Sequence, residues 1–87
     1  MLHRIKLSED FAEAVLNGEK SFEIRTNDRG YQKGDTVVFT VVERDNPVFE
    51  VAAHPLNGRL FEITYVLSGW GLRDGYVAFG IRRQDDG

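Results

Sequence analysis

Residues 18–29 read Gly-Glu-Lys-Ser-Phe-Glu-Ile-Arg-Thr-Asn-Asp-Arg and place six formal charges within twelve positions. Over residues 21–25 polar and apolar types alternate, as a strand requires, because successive side chains leave a strand on opposite faces. Phe22 and Ile24 are therefore expected to enter a core, with Glu23 and Arg25 side by side on the other face. Lys20, just before the strand, can bring its ammonium to the same place on a flexible stem. Three roles follow from these residue types. Lys20 suits a phosphate or carbonyl contact or, if desolvated, a general base. Arg25 offers a planar fork for phosphate or for stacking on a base. Glu23 can accept hydrogen bonds from a base edge or sugar hydroxyl, or hold the two cations in place. The plainer alternative is a solvated Glu–Arg pair, worth under about 1 kcal/mol.

Other residues could extend such a site. Asn27 and Arg29 are expected on its rim, with Asp28 capping the turn. Lys6, with Arg4, lies on the polar side of the first alternating segment and could lengthen a basic groove or simply face water. Trp70, between two glycines, suits a stacking platform for a base, worth about 1–3 kcal/mol, or a lid on the core. Tyr76 could stack likewise, although burial is the commoner fate for it and for Tyr31. His3 and His54 have no third ligand at metal spacing, so neither metal nor cofactor is expected. No Gly-x-Ser-x-Gly motif or cysteine nucleophile is present.

The elements that would position these groups are short. Residues 3–7 alternate, with Ile5 opposite Arg4 and Lys6. Ser8 can cap a helix with Glu9 and Asp10 in its first turn, and Phe11, Ala14 and Val15 form a narrow apolar stripe. Gly18 ends that helix. Residues 27–30 are turn chemistry. Residues 36–43 are largely β-branched and apolar on both faces, which predicts a strand buried on both sides. Residues 44–58 contain the breakers Asn46-Pro47, His54-Pro55 and Asn57-Gly58 around an added strand or excursion. In residues 59–67 Phe61, Ile63, Tyr65 and Leu67 share one face. In residues 76–82 Val77, Phe79 and Ile81 point inward, and Gly80 permits close approach of another chain segment. The tail, 83–87, is expected to fray. The whole, 1–87, reads as one domain, mainly β with one short helix (α+β): a small barrel of five to six strands, mostly antiparallel.

Composition narrows the function. The 87 residues carry a net charge of −3 and no cysteine. Disulfides and thiolate zinc sites are excluded, which suits a cytoplasmic setting. No apolar run approaches the roughly 20 residues that span a bilayer. A protein coating duplex nucleic acid through many phosphates is normally basic, so any nucleic acid here must be held in a local cleft.

Gly-x-Lys-x-x-Glu-x-Arg, here Gly18, Lys20, Glu23 and Arg25, resembles the signature of the ASCH superfamily of small PUA-like β-barrels. The longer run from Lys20 to Arg29, with His3-x-x-Lys6, the turn Lys33-Gly34-Asp35 and Gly75-Tyr76-Val77, resembles a bacterial and phage branch described as RNA-binding or uncharacterised. The resemblance implies a PUA-like barrel that binds single-stranded RNA or a nucleotide-like ligand in a cleft built on Lys20, Glu23, Arg25 and Arg29, with a monomer favoured. One ASCH branch is an amidohydrolase on acetylated cytidine, using the motif lysine, a threonine and a later glutamate. Here Lys20 is kept, Glu23 stands at the threonine position, and Glu62 could supply the later acid, so this alternative is the weaker one. A protein-interaction adaptor using residues 48–56 is the third reading.

Overall fold

A computed structural model describes residues 1–84. The chain runs β1 (Leu2–Ser8), α1 (Glu9–Leu16), β2 (Phe22–Thr26), β3 (Thr36–Val42), β4 (Leu60–Ser68) and β5 (Tyr76–Arg83). The five strands form one mixed sheet in the order β1-β3-β4-β5-β2. β1 and β3 pair in parallel; the other three pairs are antiparallel. β1 and β2 are the two edges, with no ladder between them. The expected mainly-β, one-helix architecture is present, but the sheet is not closed into a barrel.

β1 forms as expected: His3, Ile5 and Leu7 are buried and Arg4 and Lys6 exposed. Ser8 caps α1 through its hydroxyl, which accepts from the Asp10 amide. Gly18, at φ 86°, takes the left-handed conformation that lets the chain leave the helix. The buried face of α1 is not the expected one. Ala12 and Val15 enter the core, with Leu16 packed against it, whereas Phe11 is exposed. Positions 12, 15 and 16 satisfy helical spacing as well as 11, 14 and 15 do, and the small Ala12 lets the helix approach β1 and β3 closely.

β3 is buried on both faces, as its composition predicts. Only its first half pairs with β4, from Thr36↔Glu62 to Val38↔Leu60. Beyond that the excursion over residues 44–58 takes β4's place. The Val51 amide donates to Val41 O, and the Asn57 side-chain oxygen accepts from the Val41 amide. Leu56 is fully buried as a plug in the core. Of the stretch offered as an adaptor surface, Val48 and Phe49 are exposed and Leu56 is not.

The alternation of β4 changes hands midway. Ile63 pairs with Ile81 but Tyr65 pairs with Gly80, so Thr64 is the extra residue of a bulge. Phe61 and Ile63 face the core before it; afterwards Val66 does, and Tyr65 points out. Gly80 leaves room for the bulge, since a Cβ there would lie 2.5 Å from the Thr64 hydroxyl, which would have to turn away. In β5, Val77, Phe79 and Ile81 are buried, as expected. The fraying expected for 83–87 does not reach Arg83 or Gln84. Arg83 donates to Leu16 O at 2.7 Å and Gln84 to Leu60 O through its amide. Residues 85–87 lie outside the described residues.

Beside the core, the His3 ring packs tilted against Tyr31, which packs tilted against Phe79, and His3 Nε2 meets Asp35 Oδ2 at 2.8 Å. Burial pushes Asp35 up, but hydrogen bonds from His3, the Gln32 amide and the N-terminal ammonium, and the ammonium's charge, more than offset this and leave its carboxyl below the ordinary value.

A cleft at the open seam between the edge strands

The seam between β1 and β2 is where the motif residues converge. β2 is inverted relative to its expected orientation: Glu23 is only 3% exposed, whereas Phe22 and Ile24 are 47% and 53% exposed. The face of β2 continuous with the core carries Glu23 and Arg25, opposite the buried Phe79 and Val77 of β5. The expected alternation is present, but the apolar residues occupy the open face and the charged ones the core face.

The inversion follows from what the seam lacks. The ladder with β5 is fixed in phase at both ends, where Ile81 N–H donates to Ser21 O and Asn27 N–H donates to Gly75 O. Odd-numbered residues of β2 therefore bond to β5, and the backbone groups of Phe22, Ile24 and Thr26 face the open side. On β1, Met1 O accepts from the Thr36 amide, so the odd residues bond to β3 and the even ones face the same gap. Side-chain cations bridge it instead of a ladder. Arg25 Nη2 donates to Lys6 O at 2.6 Å, and Lys20 Nζ donates to Phe22 O at 2.8 Å. Glu23 anchors both cations: Oε2 accepts from Lys20 Nζ, and Oε1 accepts from Arg25 Nε at 3.1 Å and forms an ion pair with Arg25 Nη2 at 3.0 Å. A carboxylate this buried is tolerable because both oxygens are paired.

Above this ionic floor is a cleft of about 630 Å³, lined by Leu7, Ser8 and Phe11 from one side and by residues 22–26, with Lys20 and Tyr76, from the other. That is within the range of small-ligand sites. Lys20 Nζ lies over two aromatic rings, 5.4 Å from the centre of Phe11 and 5.0 Å from that of Phe22. The cleft therefore has apolar walls, two aromatic faces, and two cations against one carboxylate. Nearby, burial raises the Tyr31 phenol above its ordinary value, against the lowering influence of Arg25 and Arg29.

Of the residues singled out from sequence, Lys20, Glu23, Arg25 and Tyr76 meet at this cleft. Lys6 contributes its carbonyl; its side chain points out. Asn27 braces the turn, its side chain accepting from the Tyr31 amide at 3.2 Å, and Arg29 is exposed in the loop beyond; neither lines the cleft. Trp70 is 89% exposed, in a left-handed conformation at φ 52° between two glycines of positive φ, and does not line it either. Glu62 pairs with Arg82 at 2.6 Å, away from the cleft. Phe11, Phe22 and Ile24 are wall residues that the pattern had assigned to the core. The one signal that could have found two of them is that Phe22 and Ile24 alternate with the charged residues inside the motif itself. Among the described residues no cluster of three or more metal-ligating side chains occurs, and no helix is long and apolar enough to cross a membrane.

These features define a small α+β domain whose open sheet edge is held by an ionic cluster under an aromatic cleft. Residues 2–81 match the family described as "Domain of unknown function (DUF3850)", and the chain belongs to that family. It is also similar to the "Uncharacterized 12.9 kDa protein in GpA 3'region" of Escherichia phage P2, at 40% identity over 37 residues. That alignment covers 42% of this chain and 34% of the phage protein. The chain thus spans about a third of this relative's length.

Proposed function

We propose that the chain is an RNA- or nucleotide-binding module of the PUA-like, ASCH type, taking an unpaired base or nucleotide-like ligand into the seam cleft. The observation that carries this reading is the pairing of two exposed phenyl rings, Phe11 and Phe22, with the cations Lys20 and Arg25 in one cleft. A nucleotide presents the complement: a flat face for the rings and an anion for the cations. With Glu23 offsetting one cation, the cleft carries a local charge of +1 on a molecule of net charge −3. Such an arrangement favours a single nucleotide or strand end over a long duplex, and unpaired bases are what sequence-specific RNA recognition mostly uses. On this reading the open seam between β1 and β2 is where the ligand enters.

The amidohydrolase reading has less support. Lys20 donates to Glu23 and to Phe22 O, whereas a general base must present a free lone pair, and Glu62 is engaged elsewhere with Arg82.

The test is an amide-shift titration of the ¹⁵N-labelled protein with short single-stranded RNAs and nucleotides, including acetylated cytidine, with samples checked for product. Saturable shifts over residues 8–11, 20–26 and 76 are expected, weakened about tenfold or more in Phe22→Ala, the loss of one stacking contact. No saturable shift with any of these ligands would overturn this reading and leave the protein adaptor, whose candidate contacts Val48 and Phe49 are exposed, and deacetylated product would replace it with the hydrolase.

A further inference from the structure

The wall of the cleft contains a recognition element that no side chain supplies. The ladder phase leaves the backbone N–H and C=O of Ile24 on the open side of β2, away from β5, and Ile24 lines the cleft. Next along the two edges, Phe22 O is engaged by Lys20 and Lys6 O by Arg25, and Thr26 is the last residue of β2, which leaves Ile24 as the central open pair. Within one extended residue N–H and C=O point the same way, giving an adjacent donor and acceptor in one plane. The Watson–Crick edge of every nucleobase is the matching pattern, an acceptor beside a donor.

We infer that the Ile24 main chain reads the Watson–Crick edge of the bound base, with Phe22 and Phe11 available to its ring faces and Lys20 and Arg25 to its phosphate. The inference rests on the nucleotide-binding reading above and sharpens it. A base already paired in a duplex cannot offer that edge, so the cleft selects for an unpaired base and is tolerant of which base it is. A peptide strand added to the same edge would use a run of free backbone groups. Here Lys20 occupies Phe22 O on one side of Ile24 and β2 ends at Thr26 on the other, while Arg25 occupies Lys6 O on the facing edge, so the seam suits a short ligand needing one donor–acceptor pair.

The experiment compares uridine 5′-monophosphate, its 5-methyl analogue and its 3-methyl analogue by amide-shift titration of the intact chain. All three keep the ring, the ribose and the phosphate. The 3-methyl group blocks the N–H on the Watson–Crick edge, and the 5-methyl group lies off it. Equal affinity is expected for the first two, with the Ile24 amide among the shifted signals, and at least a tenfold loss for the third. Ile24→Pro provides a second measurement, because it deletes a donor that the β5 ladder does not use and proline is tolerated at such edge positions. It should lose affinity for uridine 5′-monophosphate relative to Ile24→Ala, and should bind the 3-methyl analogue no less well than Ile24→Ala does. If the 3-methyl analogue binds as tightly as uridine 5′-monophosphate in the cleft, edge reading is overturned while nucleotide binding stands. If no nucleotide shifts the cleft signals, both fall. If an extended oligopeptide shifts Ile24 and the β1 edge where nucleotides do not, the edge belongs to a strand-like partner and the inference is overturned.

Discussion

The two edge strands face each other across the seam and solve opposite problems. β1 buries His3, Ile5 and Leu7 and shows Arg4 and Lys6 to solvent. β2 buries Glu23, half-buries Arg25 and shows Phe22 and Ile24. β1 is therefore bound to the fold by its side-chain packing. β2 is bound to it by its ladder with β5 and by an ionic cluster, which leaves its apolar side chains free to line a cleft. A strand whose hydrophobic residues point out, beside an acid that is fully paired inside, spends burial on geometry instead of on stability. That is the pattern expected of a site.

The largest effect should come from breaking the cluster at its centre. Glu23→Ala leaves two cations at the core margin without their anion, and removing one partner of a buried pair costs about 3–5 kcal/mol. Denaturant unfolding should show a loss near the lower figure, since Lys20 and Arg25 are partly hydrated. Replacing all three together, with Lys20→Met, Glu23→Leu and Arg25→Met, should recover most of that loss, because apolar isosteres of a buried ionic group are often neutral. Ligand binding should not recover. If the triple variant still binds nucleotide, the cluster is structural only.

The next comparison sets isoleucine against isoleucine. Ile5→Ala on β1 empties a buried position and should cost about 2–5 kcal/mol. Ile24→Ala on β2, half exposed, should cost under about 1 kcal/mol, as should Phe22→Ala. The order should reverse in a binding assay, where Phe22→Ala loses affinity about tenfold and Ile5→Ala, while folded, does not. Equal stability losses for Ile5→Ala and Ile24→Ala would remove the distinction between the strands.

This contrast also marks where the sequence was legible. The alternation at residues 3–7, the Ser8 cap, the doubly buried β3 and the inward face of β5 are local patterns, and each produced the element it predicts. The convergence of Lys20, Glu23 and Arg25 was visible because their spacing places them on one side of a strand. The orientation of β2 was not, since period-2 alternation says which residues share a face and never which face is the core. Hydrophobicity chose Phe22 and Ile24. The long-range partners of Glu23's face, the β1 carbonyl of Lys6 and the strand β5, decided otherwise. The Thr64 bulge was hidden for a related reason: Tyr65 keeps perfect alternation with Ile63, and only the pairing with Gly80 reveals the slip. Asn57, read as turn chemistry, instead serves β3 as a substitute strand through its side chain, which no spacing rule encodes.

The smallest expected effect belongs to the β1 side and depends on pH. Asp35 holds His3 of β1, and its folded carboxyl titrates below the ordinary value of 3.8. A group depressed on folding contributes stability that is complete above its unfolded pKa and is lost as pH falls through the folded one. The wild-type protein should therefore exceed Asp35→Asn in denaturant midpoint at pH 6, and the gap should narrow progressively below about pH 4 as the carboxylate is protonated in both folded and unfolded chains. A gap of equal size at pH 6 and pH 3 would mean that Asp35 acts through its shape and hydrogen bonds alone, and that the β1 margin, unlike the β2 margin, owes nothing to charge.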